Sequence, residues 1–310
     1  MAEMIKQSIL MLGAAILIAG CSAKIDNVGS NVPVQVSEVS FTLPEIPFID
    51  DVQTKVGFSL PTDNDLHLNW TASDTLGVYP ESGAQIFYII SDIYNAVFDG
   101  GGWALKNEMD YWSYIPFIGN MYVDKTKMPV SFKGQTQNGS GAPQEAIRSY
   151  LVSKGEVSGS TMTFNYSSVN CYLRVRATLP AGNYKQMVLQ VADPLFVETG
   201  TVDLTAATPE ISGKTFSRSL SLKLDNFSQA GSGELVAFVT MAPVDLSGKQ
   251  VSVFFVDDSG TVFRCLKTPS RAYAANKLYG LTCSSFEEVE GYSFGIEGWG
   301  NSGSYSGTAY

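Results

Sequence analysis

Over most of this chain the apolar residues recur at every second position, in short runs cut by Gly, Pro, Asp and Asn. A period of two puts one face of an extended segment in a core and the other in solvent, which leaves strands as the building element. Between 171 and 179, Cys171, Leu173, Val175, Ala177 and Leu179 share one face while Arg174 and Arg176 take the other. Leu220, Leu222 and Leu224 alternate with Ser221, Lys223 and Asp225 in the same way. Further strands are expected over 161–166, 187–191, 195–204, 234–241, 250–256, 261–266 and 278–283, with Asp257-Asp258-Ser259-Gly260 as a hairpin loop. In the first half they are expected over 34–43, 55–60, 66–71, 75–79, 103–105, 111–117 and 128–135, with 86–90 as a buried run. Pro44, Pro47 and Asp50-Asp51 are expected to end the first strand, and Gln137–Gly141 reads as a polar loop. Ala146, Ile147, Tyr150 and Leu151 have roughly helical spacing, so one short helix is expected over 144–152. The pattern breaks at 155–160, and a boundary there divides residues 33–157 from 158–310. The sum is an all-β chain, most simply two sandwich domains. An apolar fraction of 45% is enough to build both cores, and 12% aromatics with 29 Gly suit strands and turns.

The start of the chain has a different character. Lys6 precedes an unbroken run of apolar and small residues from Ile9 to Ala19, followed by Gly20 and Cys21. A charged start, an apolar middle and small residues at a cut are the parts of a secretory signal peptide. The run is shorter than the roughly 20 residues that a membrane-spanning helix needs. Ile18-Ala19-Gly20-Cys21 looks like a bacterial lipobox, in which the Cys is acylated (palmitate and related chains) and the chain is cut before it. Residues 1–20 are then the signal, Cys21 the lipidated N-terminus, and 21–32 a small, polar tether. Each buried acyl methylene contributes about 0.8 kcal/mol, so more than one chain makes a stable anchor. The remainder folds outside the cytoplasm, away from soluble nucleotide cofactors.

Several function classes are disfavoured. A net charge of −10 argues against nucleic acid and anionic lipid headgroups as partners. One histidine, His67, leaves no multi-His metal site. Asp63-Asn64-Asp65 lacks the rest of a calcium loop. Gly298-Trp299-Gly300-Asn301-Ser302-Gly303 matches G-x-G-x-x-G without the strand–helix context that a dinucleotide site needs. No catalytic residues, metal or cofactor are expected. With Cys21 reserved for lipid, Cys171, Cys265 and Cys283 remain; Cys265 and Cys283 either bridge neighbouring strands or stay as buried thiols. Trp70, Trp103 and Trp112 read either as core or as a sugar-stacking platform, and Trp299 as the exposed one.

Trp70-Thr71-Ala72-Ser73-Asp74-Thr75-Leu76-Gly77-Val78-Tyr79 resembles the W-x-x-x-D-x-[IL]-G-V-[YF] signature of the Mfa-like and FimA-like fimbrillins of Bacteroidetes. Tyr111–Phe117 is similar to their aromatic Y-x-x-Y-x-P-[YF] strand, Thr163–Tyr166 to the opening of their second domain, and Lys277–Thr282 to their closing strand. Where family members often carry a His, this chain reads Ser167-Ser168-Val169-Asn170. The resemblance implies two transthyretin-like Greek-key sandwiches and a pilus subunit, in the stalk or at the tip, that serves adhesion. It implies an outer-membrane lipoprotein precursor, removal of an N-terminal strand by an Arg- or Lys-specific protease, and filling of the groove by a strand of the next subunit. The first arginine is Arg148, and only Lys24 and Lys55 are basic between Cys21 and Lys106, so Lys55 is the candidate processing site. The candidate displaced strand carries Val34, Val36, Val39, Phe41 and Leu43, and the candidate donor strand Tyr292, Phe294 and Ile296. The expected partners are other pilus subunits, the outer membrane through lipid, and a host or bacterial surface glycan or protein. The alternatives are a pilus anchor subunit and a non-polymerising lipoprotein that binds glycans.

Overall fold

The computed structural model describes residues 36–50, 66–68, 70, 74–92, 97–100, 105–106, 108–119, 124–141, 149–231, 233–292 and 294. Every regular element among them is a strand. The all-β class read from the period-two pattern therefore holds.

The largest sheet has eight strands. Its order is Glu38–Thr42, Thr161–Asn165, Leu151–Ser158, Tyr111–Ile115, Thr75–Pro80, Ile86–Asp92 and Val97–Asp99, with Ser167–Ser168 paired to Leu151–Val152 off this path. A six-stranded sheet runs Gln135–Asn138, Ser219–Gln229, Gly182–Gln190, Val251–Asp257, Val262–Lys267, Glu287–Val289. A four-stranded sheet runs Glu234–Met241, Cys171–Thr178, Leu278–Cys283, Phe48–Asp50. Ile211–Ser217, Phe196–Val202 and Met128–Ser131 make a three-stranded sheet.

The alternating residues decide which faces are buried. Leu173, Val175 and Ala177 of the four-stranded sheet meet Met187, Leu189, Leu222, Val253 and Phe255 of the six-stranded sheet in one large core. A second core gathers Phe41, Leu76, Val78, Tyr88, Ile115, Leu151, Met162 and Phe164 from the eight-stranded sheet. That sheet touches both cores in places. Val78, Ile115 and Leu151 face the second core, while their chain neighbours Tyr79, Tyr114 and Val152 face the first. A strand buried on both faces loses its alternation and reads as a continuous apolar run. Of the short helix expected over 144–152, residues 151 onward are strand, and 144–148 lie outside the described residues. The same strand continues through Gly155 to Ser158, and Gly159, at φ +63°, turns it into Thr161–Asn165.

One other expectation changes. Ile86–Ile90 is buried on one face only: Tyr88 is 4% exposed, while Phe87 and Ile89 on the other face are each 43% exposed. The first strand ends at Thr42, ahead of Pro44, as expected, and Glu45–Ile46 and Phe48–Asp50 follow as two separate short strands in other sheets.

Candidate functional site

The N-terminal stretch from Val36 to Asp50 borders two sheets. Glu38–Thr42 is the end strand of the eight-stranded sheet and runs parallel to Thr161–Asn165, with Phe41 opposite Phe164. Its alternation sends Val39, Phe41 and Leu43 inward together with Val36. The Phe41 ring stacks on Phe164 at 5.3 Å and meets Tyr88 and Phe98 edge-on at 5.7 and 5.0 Å. The Val36 N–H donates to Leu105 O at 3.1 Å, and the Tyr166 N–H to Thr42 O at 3.0 Å. After Pro44, Glu45–Ile46 pairs with Leu66–His67, and Ile46 is fully buried beside Tyr172 and Leu278. Phe48–Asp50 then becomes the end strand of the four-stranded sheet, again in parallel, against Leu278–Gly280. The Arg174 guanidinium lies 4.3 Å from the Phe48 ring centroid. One short piece of chain thus supplies an end strand to two sheets, and at both it is laddered along one flank only among the described residues.

Four of the five candidate displaced-strand residues, Val36, Val39, Phe41 and Leu43, come together on one core. Val34, Lys55 and Cys21 lie outside the described residues, as do Ile296, Trp103, Trp299, Asp63–Asp65 and 298–310. Tyr292 and Phe294 pack elsewhere. Their ring centroids are 5.1 and 4.9 Å from that of Phe254, over an apolar patch of Val188, Phe254, Val256 and Val262. The patch is on the face of the six-stranded sheet opposite the main core, because Val188 and Phe254 alternate with Met187, Leu189, Val253 and Phe255. The Arg264 guanidinium donates to Tyr292 Oη at 3.5 Å and also pairs with Glu287.

A second edge is closed by side chains. Residues 137–141 read as a polar loop, yet Gln135–Asn138 is a strand paired in parallel with Leu222–Asp225. Its Gln135 and Gln137 side chains are buried, and they bond to the free flank of Glu234–Met241. The Gln135 amide donates to Thr240 O at 2.8 Å and accepts from Thr240 N–H at 2.8 Å. The Gln137 amide donates to Val236 O at 3.1 Å and accepts from Phe238 N–H at 2.7 Å. Ser140 Oγ accepts from Val236 N–H at 2.8 Å. A carboxamide carries the same donor and acceptor as a peptide unit. Two glutamines therefore occupy the place of a neighbouring strand on Glu234–Met241. The signal for this was two buried-strand positions at i and i+2, Gln135 and Gln137, but their polarity masked it.

The signature segment has a packing role. Gly77 stands opposite Tyr114, and a Cβ there would sit 2.2 Å from Tyr114 Cε1. Tyr114 donates its hydroxyl to Gln85 Oε1 at 2.8 Å, and Ser113 Oγ donates to Gly77 O at 3.0 Å. Gly77→Ala is expected to lose about 1–3 kcal/mol, the usual cost of overpacking a core; urea denaturation checks it, and an unchanged midpoint would contradict the packing role. The phenols here are structural. Burial, against a hydrogen bond with Ser113, holds Tyr166 well above the ordinary tyrosine range, and burial followed by Tyr111 pushes Tyr88 up to about 12. Trp70 packs edge-on against Phe98 at 4.7 Å, and Trp112 has Lys125 Nζ 4.8 Å from its ring centroid. Neither is an exposed platform; both are half-buried. Where the resembled family often has a His, Ser168 and Asn170 are buried and tie strands together. Asn170 Oδ1 accepts from Tyr150 N–H at 2.8 Å, and the Ser168 hydroxyl lies 3.1 Å from that of Tyr172.

No family profile and no curated protein matches this chain. Solved structures do. A protein of Bacteroides ovatus ATCC 8483, provisionally described as a cell adhesion protein, is 14% identical and superposes with a TM-score of 0.50, covering 82% of this chain and 96% of that one. Another so described, from Bacteroides uniformis ATCC 8492, is 17% identical over 71% of this chain and 90% of its own, with a TM-score of 0.49. The tip fimbrial protein Mfa3 of Porphyromonas gingivalis, truncated at its C-terminus, is 9% identical over 70% and 93%, with a TM-score of 0.38. The first of these shares the fold; the structures similar to this chain are adhesion and fimbrial proteins of Bacteroidetes.

Proposed function

We propose that this protein is a structural subunit of a surface pilus, in the stalk or at the tip, that assembles by exchange of strands between copies and serves adhesion. The observation that carries the reading is the placement of Val36–Asp50: an end strand in two sheets, in parallel pairing, with Phe41 plugged into an aromatic core. Its departure breaks its own ladders, to Thr161–Asn165, Leu66–His67 and Leu278–Gly280, and leaves the ladders between the other strands in place. What it leaves is an open edge on Thr161–Asn165 beside an apolar groove, the surface that β-augmentation fills. A cut after Lys55 separates this whole segment from the body of the protein. In this reading Cys21 is acylated, the precursor sits on the outer membrane, and the assembled subunit sits in the fimbrium. The strand donated to the next subunit comes from the C-terminal tail with Tyr292, Phe294 and Ile296, of which the first two lie parked on Phe254. Two transthyretin-like Greek-key domains, as expected from the sequence, complete the scheme. It is supported by the signature around Gly77 and by the fold shared with the Bacteroides ovatus protein. The packed state of Trp70 and Trp112 disfavours the glycan-binding alternative.

The test is the N-terminal sequence and mass of the protein in sheared filaments and in washed outer membrane. Filament protein is expected to begin at Val56, with acylated Cys21 found only in the membrane fraction. An acylated Cys21 as the sole N-terminus in both would make the protein an anchor or a non-polymerising lipoprotein.

A further inference from the structure

Cys265 and Cys283 are on strands of different sheets. Cys265 lies in Val262–Lys267 of the six-stranded sheet, opposite Val253, and Cys283 ends Leu278–Cys283 of the four-stranded sheet, opposite Ala177. Both side chains point into the core between the two sheets, at 4% and 0% exposure. The register brings their strands together: Arg264, next to Cys265, pairs with Glu287, so the chain leaving Cys283 returns along the strand that carries Cys265. Cys171 donates to Met241 O at 3.5 Å and to Ala242 O at 3.7 Å, and burial raises its pKa.

We propose that Cys265 and Cys283 are a disulfide-forming pair that closes the two sheets covalently once the protein is exported, while Cys171 stays a thiol. The inference rests on the export expected from residues 1–21. The chemistry is thiol–disulfide exchange with a disulfide oxidant, a thiol–disulfide oxidoreductase of the extracytoplasmic space or glutathione disulfide in a tube. The Cys265 sulfur, as thiolate, attacks one sulfur of the oxidant and releases the other half as a thiolate. Cys283 then gives up its proton, attacks the Cys265 sulfur of the mixed disulfide and releases the second half. Two protein thiols are oxidised, the oxidant disulfide is reduced to two thiols, and the two protons end on them. The hydrogen bond from Cys283, opposed by burial and helped by Lys267, lowers the Cys265 pKa, which suits it to attack first. The bridge would fasten Val262–Lys267 to Leu278–Cys283 just before Glu287–Val289 and the tail, so that tension on a donated tail meets a covalent closure.

The experiment uses the full chain, recovered from the cell surface and, separately, purified in reduced form and refolded with glutathione disulfide. Each sample is denatured, blocked with iodoacetamide without reductant, and peptide-mapped. Expected in both are one linked peptide pair holding Cys265 and Cys283, an alkylated Cys171, and a melting temperature that falls on reduction. Cys265→Ser should abolish both the link and the effect of reduction. Alkylated Cys265 and Cys283 in either sample would overturn the proposal, as would a link through Cys171. A link in surface protein that forms no filaments would leave the bridge standing and reject the pilus reading instead.

Discussion

Phe41→Ala is expected to cost about 3–5 kcal/mol in urea denaturation, the range for a large aromatic removed from a core that cannot collapse around the loss. The ring is 7% exposed and in contact with Phe164, Tyr88 and Phe98, all held by strands of the same sheet. A second readout separates assembly from stability. Glu38–Thr42 is laddered on one flank among the described residues, and Phe41 is its deepest side chain in the core. After proteolysis at Lys55, the variant should release its N-terminal segment faster and form polymer sooner than the parent. A variant that loses stability yet polymerises no sooner would show that departure of this strand does not limit assembly, and would weaken the exchange reading.

Gln135→Met should be nearly as damaging, although the volumes are close and methionine is more apolar. The substitution removes the bonds to Thr240 N–H and Thr240 O and leaves both backbone groups without those partners. Each buried group left unsatisfied costs about 1–3 kcal/mol, so the expected loss is about 2–6 kcal/mol. Adding Gln137→Met extends the open flank to Phe238 N–H. The double variant should then self-associate through Glu234–Met241, seen as concentration-dependent dimers in sedimentation, because an uncovered strand edge pairs with whatever strand it meets. A stable, monomeric double variant would show that the two amides do not guard this edge. In a protein proposed to grow by strand addition, such a guard has a clear use: it leaves the edge beneath Glu38–Thr42 as the place where an incoming strand fits.

Much of the fold was legible before any coordinate. Cys171–Thr178 and Ser219–Gln229 follow from alternation, since Cys171, Leu173, Val175 and Ala177, and Leu220, Leu222 and Leu224, pack on one core; Glu234–Met241 and Val251–Asp257, buried on both faces, follow from their apolar runs. The inward set Val39, Phe41, Leu43 was readable from alternation too. Reading failed where burial did not follow period two. Leu151 and Val152 serve opposite cores, so this end of the expected helix carries no alternation to mark it as strand. Gln135 and Gln137 are core in position but polar in kind, and only their contact with a strand 105 residues away makes sense of them. Local sequence therefore determined the strand class, the spacing of the turns and the apolar face of each strand. Tertiary structure alone decided that Val36–Asp50 borders two sheets, that Tyr292 and Phe294 lie on Phe254, and that Cys265 and Cys283, on strands of different sheets, face one core. The physical reason is that a strand's neighbours are set by pairings between distant parts of the chain, and no local pattern records which edge a strand will join.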